Sequence, residues 1–121
     1  HNGHGVHALA ESLKQLYPGE KFHFIMGVMA DKDYEEMIEV LLPLAIDFVT
    51  VTPESERALQ SKDLAECIQR KGVPASYADN MEQVIRPLLV AGEGAEKTVA
   101  FGSLYFIGAI ETMIEENEKR L

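Results

Sequence analysis

The chain has 121 residues, and its 20 Asp and Glu outweigh its 11 Lys and Arg, which gives a formal net charge of −9 at pH 7. This acidic balance argues against a nucleic-acid-binding protein, because such a protein needs a basic face. A hydrophobic share of 46% is enough for a folded core, while no apolar run approaches the length of a membrane span.

Hydrophobic periodicity predicts alternating helices and strands from the start of the chain. Apolar residues at helical spacing predict a helix over residues 5–17, which a Pro-Gly pair ends. The short apolar run over residues 22–28 predicts a strand buried on both faces, as in a parallel sheet. Asp33 followed by Glu36 matches the capping-box pattern, so a second helix is expected to begin there and to end at Pro43.

The same alternation continues to the end of the chain. The remaining predicted elements are a strand over residues 47–52, a helix from Ser61, a strand over 75–78, a helix after Asn80, a strand over 98–101 and a helix after Ser103. Ser61 is a good N-cap residue, and Gly72 is a strong helix stop because glycine accepts the left-handed conformation. Strands and helices in alternation give a parallel sheet with helices on both faces. We therefore predict a single three-layer α/β/α, Rossmann-like domain over residues 1–121.

Glycine-rich phosphate-binding motifs are absent from the sequence. No Gly-x-x-x-x-Gly-Lys-Ser/Thr loop occurs, and no Gly-x-Gly-x-x-Gly follows a predicted strand. A phosphoacceptor receiver domain would need an aspartate at the end of the third strand and a lysine at the end of the last. Asp79 lies near the end of the third strand, but the last strand ends in Phe101-Gly102-Ser103 without a lysine, which disfavours this alternative.

Candidate ligand-binding residues follow the strands, because ligands of parallel sheets sit beyond the C-terminal strand ends where strand order reverses. The loop after the first strand contains Asp31, Lys32 and Asp33, the loop after the second contains Arg57, and Ser103 follows the fourth. Each of these residues also has a plain structural interpretation. Asp33 and Ser103 fit helix caps, Lys32 fits a solvated lysine, and Arg57 fits an ion pair that braces its loop.

Histidine and cysteine residues do not indicate a catalytic or metal site. His1, His4 and His7 recur at regular spacing, but the first stands at the chain end and the others straddle a helix start, which disfavours a metal site. Cys67 lies on an apolar helix stripe and fits a core residue better than a nucleophile. As the single cysteine it excludes an internal disulfide and suits a reducing compartment, so we expect a cytoplasmic protein.

Four segments carry a recognisable pattern. They are His1-Asn2 before Gly3-His4-Gly5, the segment Phe24-Ile25-Met26-Gly27-Val28-Met29-Ala30-Asp31-Lys32-Asp33, Thr52-Pro53 with Arg57-Ala58, and Phe101-Gly102-Ser103-Leu104-Tyr105-Phe106. Together they resemble the C-terminal domain of folylpolyglutamate synthases, including bifunctional dihydrofolate synthases, within the Mur ligase superfamily. The first looks like the second half of the family's Asp-Gly-Ala-His-Asn signature. The last looks like its Thr-Gly-Ser-Leu-Tyr motif, with Phe101 in place of the usual Thr.

This resemblance implies one domain of an ATP-dependent ligase that joins glutamate to a folate through an acyl phosphate. The implied cofactors are ATP and Mg²⁺, bound mainly by a central ATPase domain of the same polypeptide. The implied substrates are a folate or dihydropteroate and L-glutamate, with no membrane or nucleic-acid partner. The absence of an initiator Met fits a chain cut from something longer, and we expect the chain alone to be inactive.

The resemblance also implies site residues and a strand order. The implied residues are Lys32 and Ser103 for glutamate, His1 and Asn2 for the nucleotide, and Asp31, Asp33 and Arg57 for loop support, with no metal ligand. Numbered by appearance, the strands would follow the order 4-1-2-3, which leaves an uncovered apolar edge on strand four. The C-terminal ends of strands one and four would then open a crevice, with residues 27–32 on one wall and 102–103 on the other.

Two other classes of protein remain open at this point. A small-anion-binding module without catalysis and a pure interaction domain would both accommodate the predicted fold. A P-loop upstream of His1 in the native reading frame would favour the ligase, whereas an initiator Met directly ahead of His1 would exclude it.

Overall fold

The computed structural model describes residues 3–80, 82–84 and 98–102. The helices are α1 (Gly3–Leu16), α2 (Tyr34–Leu41) and α3 (Ser61–Arg70), with a 3-10 turn at Leu42–Leu44 after α2. The strands are β1 (Phe22–Gly27), β2 (Ala45–Thr50), β3 (Ala75–Tyr77) and β4 (Thr98–Gly102). They alternate as the periodicity predicts, although β2 begins at Ala45 rather than at residue 47 because the 3-10 turn around Pro43 delivers the chain directly into the sheet. Within these three ranges, no helix combines the length and apolarity needed to cross a membrane.

The strands form one parallel sheet in the order β3-β2-β1-β4. This order is 4-1-2-3 read from the other edge, so the predicted topology is confirmed. β1 lies in the interior, where Phe24 stands opposite Phe48 of β2 on one side and Val99 of β4 on the other. Among the described residues β4 pairs only with β1 and β3 only with β2, so these two strands form the edges.

One apolar cluster joins a face of the sheet to all three of these helices. Phe24 and Phe48 are fully buried at its centre, and their rings stack with centroids 5.3 Å apart. Apolar residues of the helices complete the cluster, namely Val6, Ala10, Leu13, Met37, Ile38, Leu41, Leu64, Cys67 and Ile68. The burial of Cys67, which is 5% exposed, confirms that it is a core residue.

β1 is also buried on the opposite face of the sheet, at Ile25. Ile25 alternates along β1 with the core residues Phe24 and Met26, so it points to this second face, where it is 1% exposed. The prediction that this strand is buried on both faces is therefore confirmed. The helices predicted after Asn80 and after Ser103 fall largely outside the described residues.

Asp33 caps α2 as predicted, but only half of the expected capping box forms. The Oδ1 atom of Asp33 accepts a hydrogen bond from the Glu36 N–H at 3.3 Å. The Glu36 carboxylate does not complete the box, since its Oε1 lies 3.3 Å from His7 Nε2 of α1. Glu36 thus connects the first two helices, because a partner on a neighbouring helix competes with the backbone N–H of Asp33.

The prediction that Ser61 is the N-cap of α3 is wrong. Gln60 occupies the cap position without a side-chain hydrogen bond, and Ser61 is the first helical residue. The Ser61 N–H, one of the donors that a helix start leaves without an intrahelical acceptor, donates instead to Thr52 Oγ1 at 2.9 Å. A threonine from the preceding loop therefore takes the place of a local cap.

Gly72 ends α3 in the left-handed conformation, with φ at +91°, as predicted. A Cβ placed on Gly72 would meet no atom within 4 Å, so Gly72→Ala adds backbone strain without a clash. We expect this variant to lose about 1 kcal/mol of unfolding free energy in urea denaturation. Gly72→Asn should lose less because asparagine tolerates this conformation better, and an alanine variant as stable as the wild type would contradict the strain argument.

Lys71 links the end of α3 to α2 through an ion pair. Its Nζ donates to Glu39 Oε1 at 3.1 Å. This hydrogen bond, helped by the nearby charge of Glu35, raises the pKa of the Lys71 ammonium above its ordinary value of 10.5. A pKa that is raised on folding means that the pair stabilises the fold at pH values below the unfolded pKa. That stabilisation is lost as the pH rises through the folded pKa.

We therefore expect Lys71→Met to lower the free energy of unfolding at neutral pH and to have little effect in buffers well above 10.5. Denaturant titrations of variant and wild type at both pH values measure this difference. In a Glu39→Gln background the same replacement should lose most of its pH dependence, since the carboxylate that raises the pKa is gone. An undiminished pH dependence in that background would show that the effect does not come from this pair.

Candidate functional site

The C-terminal ends of β1 and β4 lie side by side at one end of the sheet. Gly27, the last residue of β1, is in register with Gly102, the last residue of β4. The chain leaves β1 toward β2 on one side and reaches β4 on the other, so strand order reverses here. Parallel sheets bind ligands beyond the strand ends at such a point. The paired glycines also present no side chains there, which favours close approach of another group to the backbone.

The loops that follow β1 and β2 are hydrogen-bonded to each other. The Ala30 N–H donates to the Arg57 carbonyl at 2.7 Å, and the Leu59 N–H donates to the Val28 carbonyl at 3.0 Å. Backbone hydrogen bonds between two loops restrict both of them. The segment that carries Lys32 is therefore held against the loop that carries Arg57.

Arg57 forms an ion pair, as predicted, and its partner is Asp31 in the neighbouring loop. Arg57 Nη1 donates to Asp31 Oδ2 at 3.2 Å. The two side chains are 69% and 54% exposed, so the pair adds only about 0–1 kcal/mol to stability. The pair also occupies the carboxylate of Asp31, the residue directly before Lys32, and this is its main consequence for the site.

Lys32 stands between two acidic residues whose carboxylates are engaged elsewhere. Asp31 holds the ion pair just described, and Asp33 caps α2. The Lys32 backbone is fixed on both sides, since its N–H donates to the Met29 carbonyl at 3.2 Å and its carbonyl accepts from the Tyr34 N–H at 2.9 Å. The exposed Lys32 ammonium has no ion pair or hydrogen bond with any residue in the described ranges. It is therefore a cation available to an anionic ligand.

The sequence pattern does not indicate the role of a buried threonine that lies beneath these loops. Thr50, the last residue of β2, is fully buried, and its Oγ1 donates to the Ser61 carbonyl at 2.6 Å and lies 3.3 Å from the Ser76 carbonyl. Together with the Thr52 hydroxyl, it ties the start of α3 to β2 and β3. Threonine is common in strands, so nothing in the local pattern distinguishes Thr50 from an ordinary strand residue.

His23 and Asp47 form another unpredicted pair, toward the opposite end of the sheet. They face each other across β1 and β2, with His23 Nδ1 2.8 Å from Asp47 Oδ1. Both stand near the N-terminal ends of their strands, away from the loops that carry Lys32 and Arg57. The pair therefore links two strands and is not part of the candidate ligand site.

The remaining predicted site residues, His1, Asn2 and Ser103, lie outside the described residues. Their roles stay predictions, although Ser103 directly follows Gly102 in the chain. Across residues 3–80, 82–84 and 98–102, no three His, Cys, Asp or Glu side chains form a group that could hold a metal ion. The described part of the site therefore contains a cation and backbone groups that could bind an anion. It contains no cluster of side chains that could bind a metal ion.

The family model for the glutamate ligase domain of Mur ligases matches residues 1–103 of this chain. Because that match covers most of the sequence and the sheet has the predicted topology, the chain belongs to the Mur ligase glutamate ligase domain family.

The individual relatives include enzymes named as folylpolyglutamate synthases. The dihydrofolate synthase/folylpolyglutamate synthase of Bacillus subtilis (strain 168) is 28% identical over 116 residues, which cover 95% of this chain and 26% of the relative. Mycobacterium tuberculosis folylpolyglutamate synthase complexed with ADP and AMPPCP matches with a TM-score of 0.76 and 25% identity, over 93% of this chain and 28% of that one. E. coli FolC in complex with DHPP and ADP shares the fold with a TM-score of 0.76 at 21% identity, over 100% of this chain and 28% of that one. The chain thus spans about a quarter of the length of these relatives.

Proposed function

We propose that this chain is the glutamate-side domain of an ATP-dependent folate–glutamate ligase, either a folylpolyglutamate synthase or a bifunctional dihydrofolate synthase. The observation that carries the proposal is Lys32, an exposed cation without a partner among the described residues. It lies beyond the C-terminal ends of the strands, where parallel sheets bind ligands, in a glutamate ligase domain. The similarity to folylpolyglutamate synthases supports a folate as the acceptor.

The proposed reaction forms an amide bond between a folate-linked carboxylate and the amine of glutamate. ATP would supply its activation, since transfer of the terminal phosphoryl group to the carboxylate breaks the bond to ADP, releases ADP and makes the carboxylate an acyl phosphate. The amine of glutamate then attacks the carbonyl carbon, the C–O bond to phosphate breaks, and the amine gives up a proton. This chain contributes the groups that hold glutamate in place for that attack, which is a gain through proximity and orientation.

Lys32 and Ser103 are the residues proposed to bind glutamate. A carboxylate on glutamate suits the Lys32 ammonium, because a charge-assisted hydrogen bond is among the stronger polar contacts in proteins. Ser103 follows β4 at the paired strand ends, where a hydroxyl group and backbone N–H groups suit a carboxylate. The buried, unbridged Cys67 suits a reducing compartment, and we place the enzyme in the cytoplasm.

The nucleotide and its metal ion are assigned mainly to a central domain of the same polypeptide. The sequence contains no P-loop, and the described residues form no metal-ligand cluster, so the fit of these residues to Mg²⁺ is poor. His1 and Asn2 are proposed to contact the nucleotide from this side, on the strength of the family resemblance. Phosphoryl transfer depends on phosphate-cradling groups and Mg²⁺, and we propose that the central domain provides both.

The test of this function uses the full-length polypeptide that contains the chain. Purified protein is incubated with ATP, Mg²⁺, L-glutamate and either dihydropteroate or a reduced folate, and the products are identified by mass spectrometry. We expect ATP consumption that requires both the pterin substrate and glutamate, with formation of the glutamyl amide. ATP consumption that is independent of glutamate, or the absence of an amide product from either pterin, would contradict the proposal.

The isolated 121-residue chain is expected to be inactive in the same assay. It lacks the loop that would cradle the ATP phosphates, and phosphoryl transfer is catalysed almost entirely by such positioning groups. Folate-dependent ATP turnover by the purified chain at roughly 1 s⁻¹, within the range of intact enzymes, would contradict this division of labour.

A further inference from the structure

The Asp31–Arg57 ion pair bears directly on how Lys32 can work. Lys32 follows Asp31 and precedes Asp33, so both of its neighbours in the sequence carry a carboxylate. An exposed ammonium within reach of a carboxylate pairs with it, although weakly. Such a pair would compete with the carboxylate of an incoming ligand for the same cation.

Both neighbouring carboxylates have other partners. Asp31 Oδ2 accepts from Arg57 Nη1 at 3.2 Å, and Asp33 Oδ1 accepts from the Glu36 N–H at 3.3 Å. The second contact belongs to the start of α2 and does not depend on Arg57. The first contact joins the Asp31 carboxylate to the neighbouring loop, and Arg57 is its donor.

Arg57 is well placed to hold Asp31. Its carbonyl accepts from the Ala30 N–H at 2.7 Å, so its backbone is bonded to the residue just before Asp31. Its own N–H donates to Ser55 Oγ at 3.2 Å, which further restricts the loop. The guanidinium group is always charged and presents its donors in a planar fork suited to carboxylates. A fixed backbone and a permanent charge make Arg57 a steady competitor of Lys32 for the Asp31 carboxylate.

We propose that Arg57 is a positioning residue that keeps the Lys32 ammonium free for the glutamate carboxylate by engaging the Asp31 carboxylate. This inference rests on the proposed role of Lys32 in glutamate binding. It differs from simple bracing of the loop in one testable respect. If Arg57 acts by engaging a competing carboxylate, then removal of that carboxylate makes Arg57 dispensable.

The kinetic test uses the full-length ligase and four variants. Arg57→Ala is expected to raise the KM for glutamate about two- to fivefold with kcat little changed, the size of one exposed competing ion pair. Asp31→Asn alone should stay near the wild type, and Arg57→Ala combined with Asp31→Asn should return KM to the wild-type value. Arg70→Ala is the matched control, because Arg70 is exposed in the last turn of α3 at the far end of that helix. A double variant as impaired as Arg57→Ala would overturn the inference and leave bracing of the loop as the role of Arg57.

A second readout does not require ligase activity. The rate at which acetic anhydride acetylates Lys32, followed by mass spectrometry, reports how free the amine is, because a neighbouring carboxylate holds an amine protonated and unreactive. Arg57→Ala should slow acetylation of Lys32, added Asp31→Asn should restore it, and Lys21, which precedes β1, should react equally in all variants. If this pattern holds while the wild type fails to ligate glutamate, the positioning inference stands and the proposed function fails. If the wild type ligates glutamate but neither KM nor acetylation responds to Arg57→Ala, the inference alone fails.

Discussion

Replacement of Phe48 by alanine is expected to lower the free energy of unfolding by about 3–5 kcal/mol. Phe48 is fully buried on β2, and its ring stacks on Phe24 of β1 with centroids 5.3 Å apart. The substitution removes a large apolar side chain, leaves a cavity between sheet and helices, and breaks an aromatic pair. Urea denaturation of the purified chain, followed by circular dichroism, measures the loss.

The matched control for this prediction is Tyr77→Ala on the neighbouring strand β3. Tyr77 is 54% exposed, so its removal leaves no closed cavity and should cost well under half as much. A Phe48→Ala variant that loses no more stability than Tyr77→Ala would contradict the placement of the Phe24–Phe48 stack at the centre of the core.

Thr50→Val is expected to destabilise the chain by about 1–3 kcal/mol, although the two side chains have nearly the same shape. The fully buried Thr50 hydroxyl donates to the Ser61 carbonyl at 2.6 Å and lies near the Ser76 carbonyl. Valine fills the space but leaves the Ser61 carbonyl without this donor in a place that water does not reach. The same denaturation experiment measures the effect.

Thr50→Ser separates the hydroxyl from the methyl group. Serine keeps the donor to Ser61 and loses one buried methyl group, so its loss should be smaller than that of valine, about 1 kcal/mol. A serine variant as unstable as the valine variant would show that packing, and not the hydrogen bond, accounts for the cost.

The overall fold could be predicted because its signals are local in sequence. The apolar run over residues 22–28 identified a strand buried on both faces, and Gly72 identified the end of a helix through its need for a positive φ. Alternation of helices and strands then left few topologies, and the family resemblance selected the order that the sheet has. Apart from the strand order, these inferences rest on neighbouring residues or on a rule for connecting them.

The errors arose where a distant group competes with a local partner. Ser61 is a residue type that often caps helices, but its own N–H donates to Thr52, nine residues earlier. Glu36 has the spacing of a capping box, but its carboxylate meets His7, which is 29 residues away. Periodicity and short-range spacing carry no information about such contacts, since these depend on how helices and strands pack together.

The position of the candidate site was predictable for a different reason. Parallel strands place all of their C-terminal loops at one end of the sheet, so strand assignment alone made the loops that carry Lys32 and Arg57 candidates for a ligand site. The partner of Arg57 was not predictable, because several acidic residues surround it in sequence and only the bond between the two loops selects Asp31. The availability of the Lys32 ammonium follows from that selection and could not be read from the sequence.

The glutamate saturation curve of the full-length ligase with Lys32→Ala tests the central claim most directly. We expect the KM for glutamate to rise about tenfold with a much smaller change in kcat, because one charge-assisted contact to the substrate is lost, and we expect a similar effect for Ser103→Ala. Lys21→Ala, which removes an exposed lysine just before β1 at the opposite end of the same strand, should leave the curve unchanged. A glutamate KM in Lys32→Ala equal to that of the wild type and of Lys21→Ala would contradict the claim that this edge of the sheet binds glutamate.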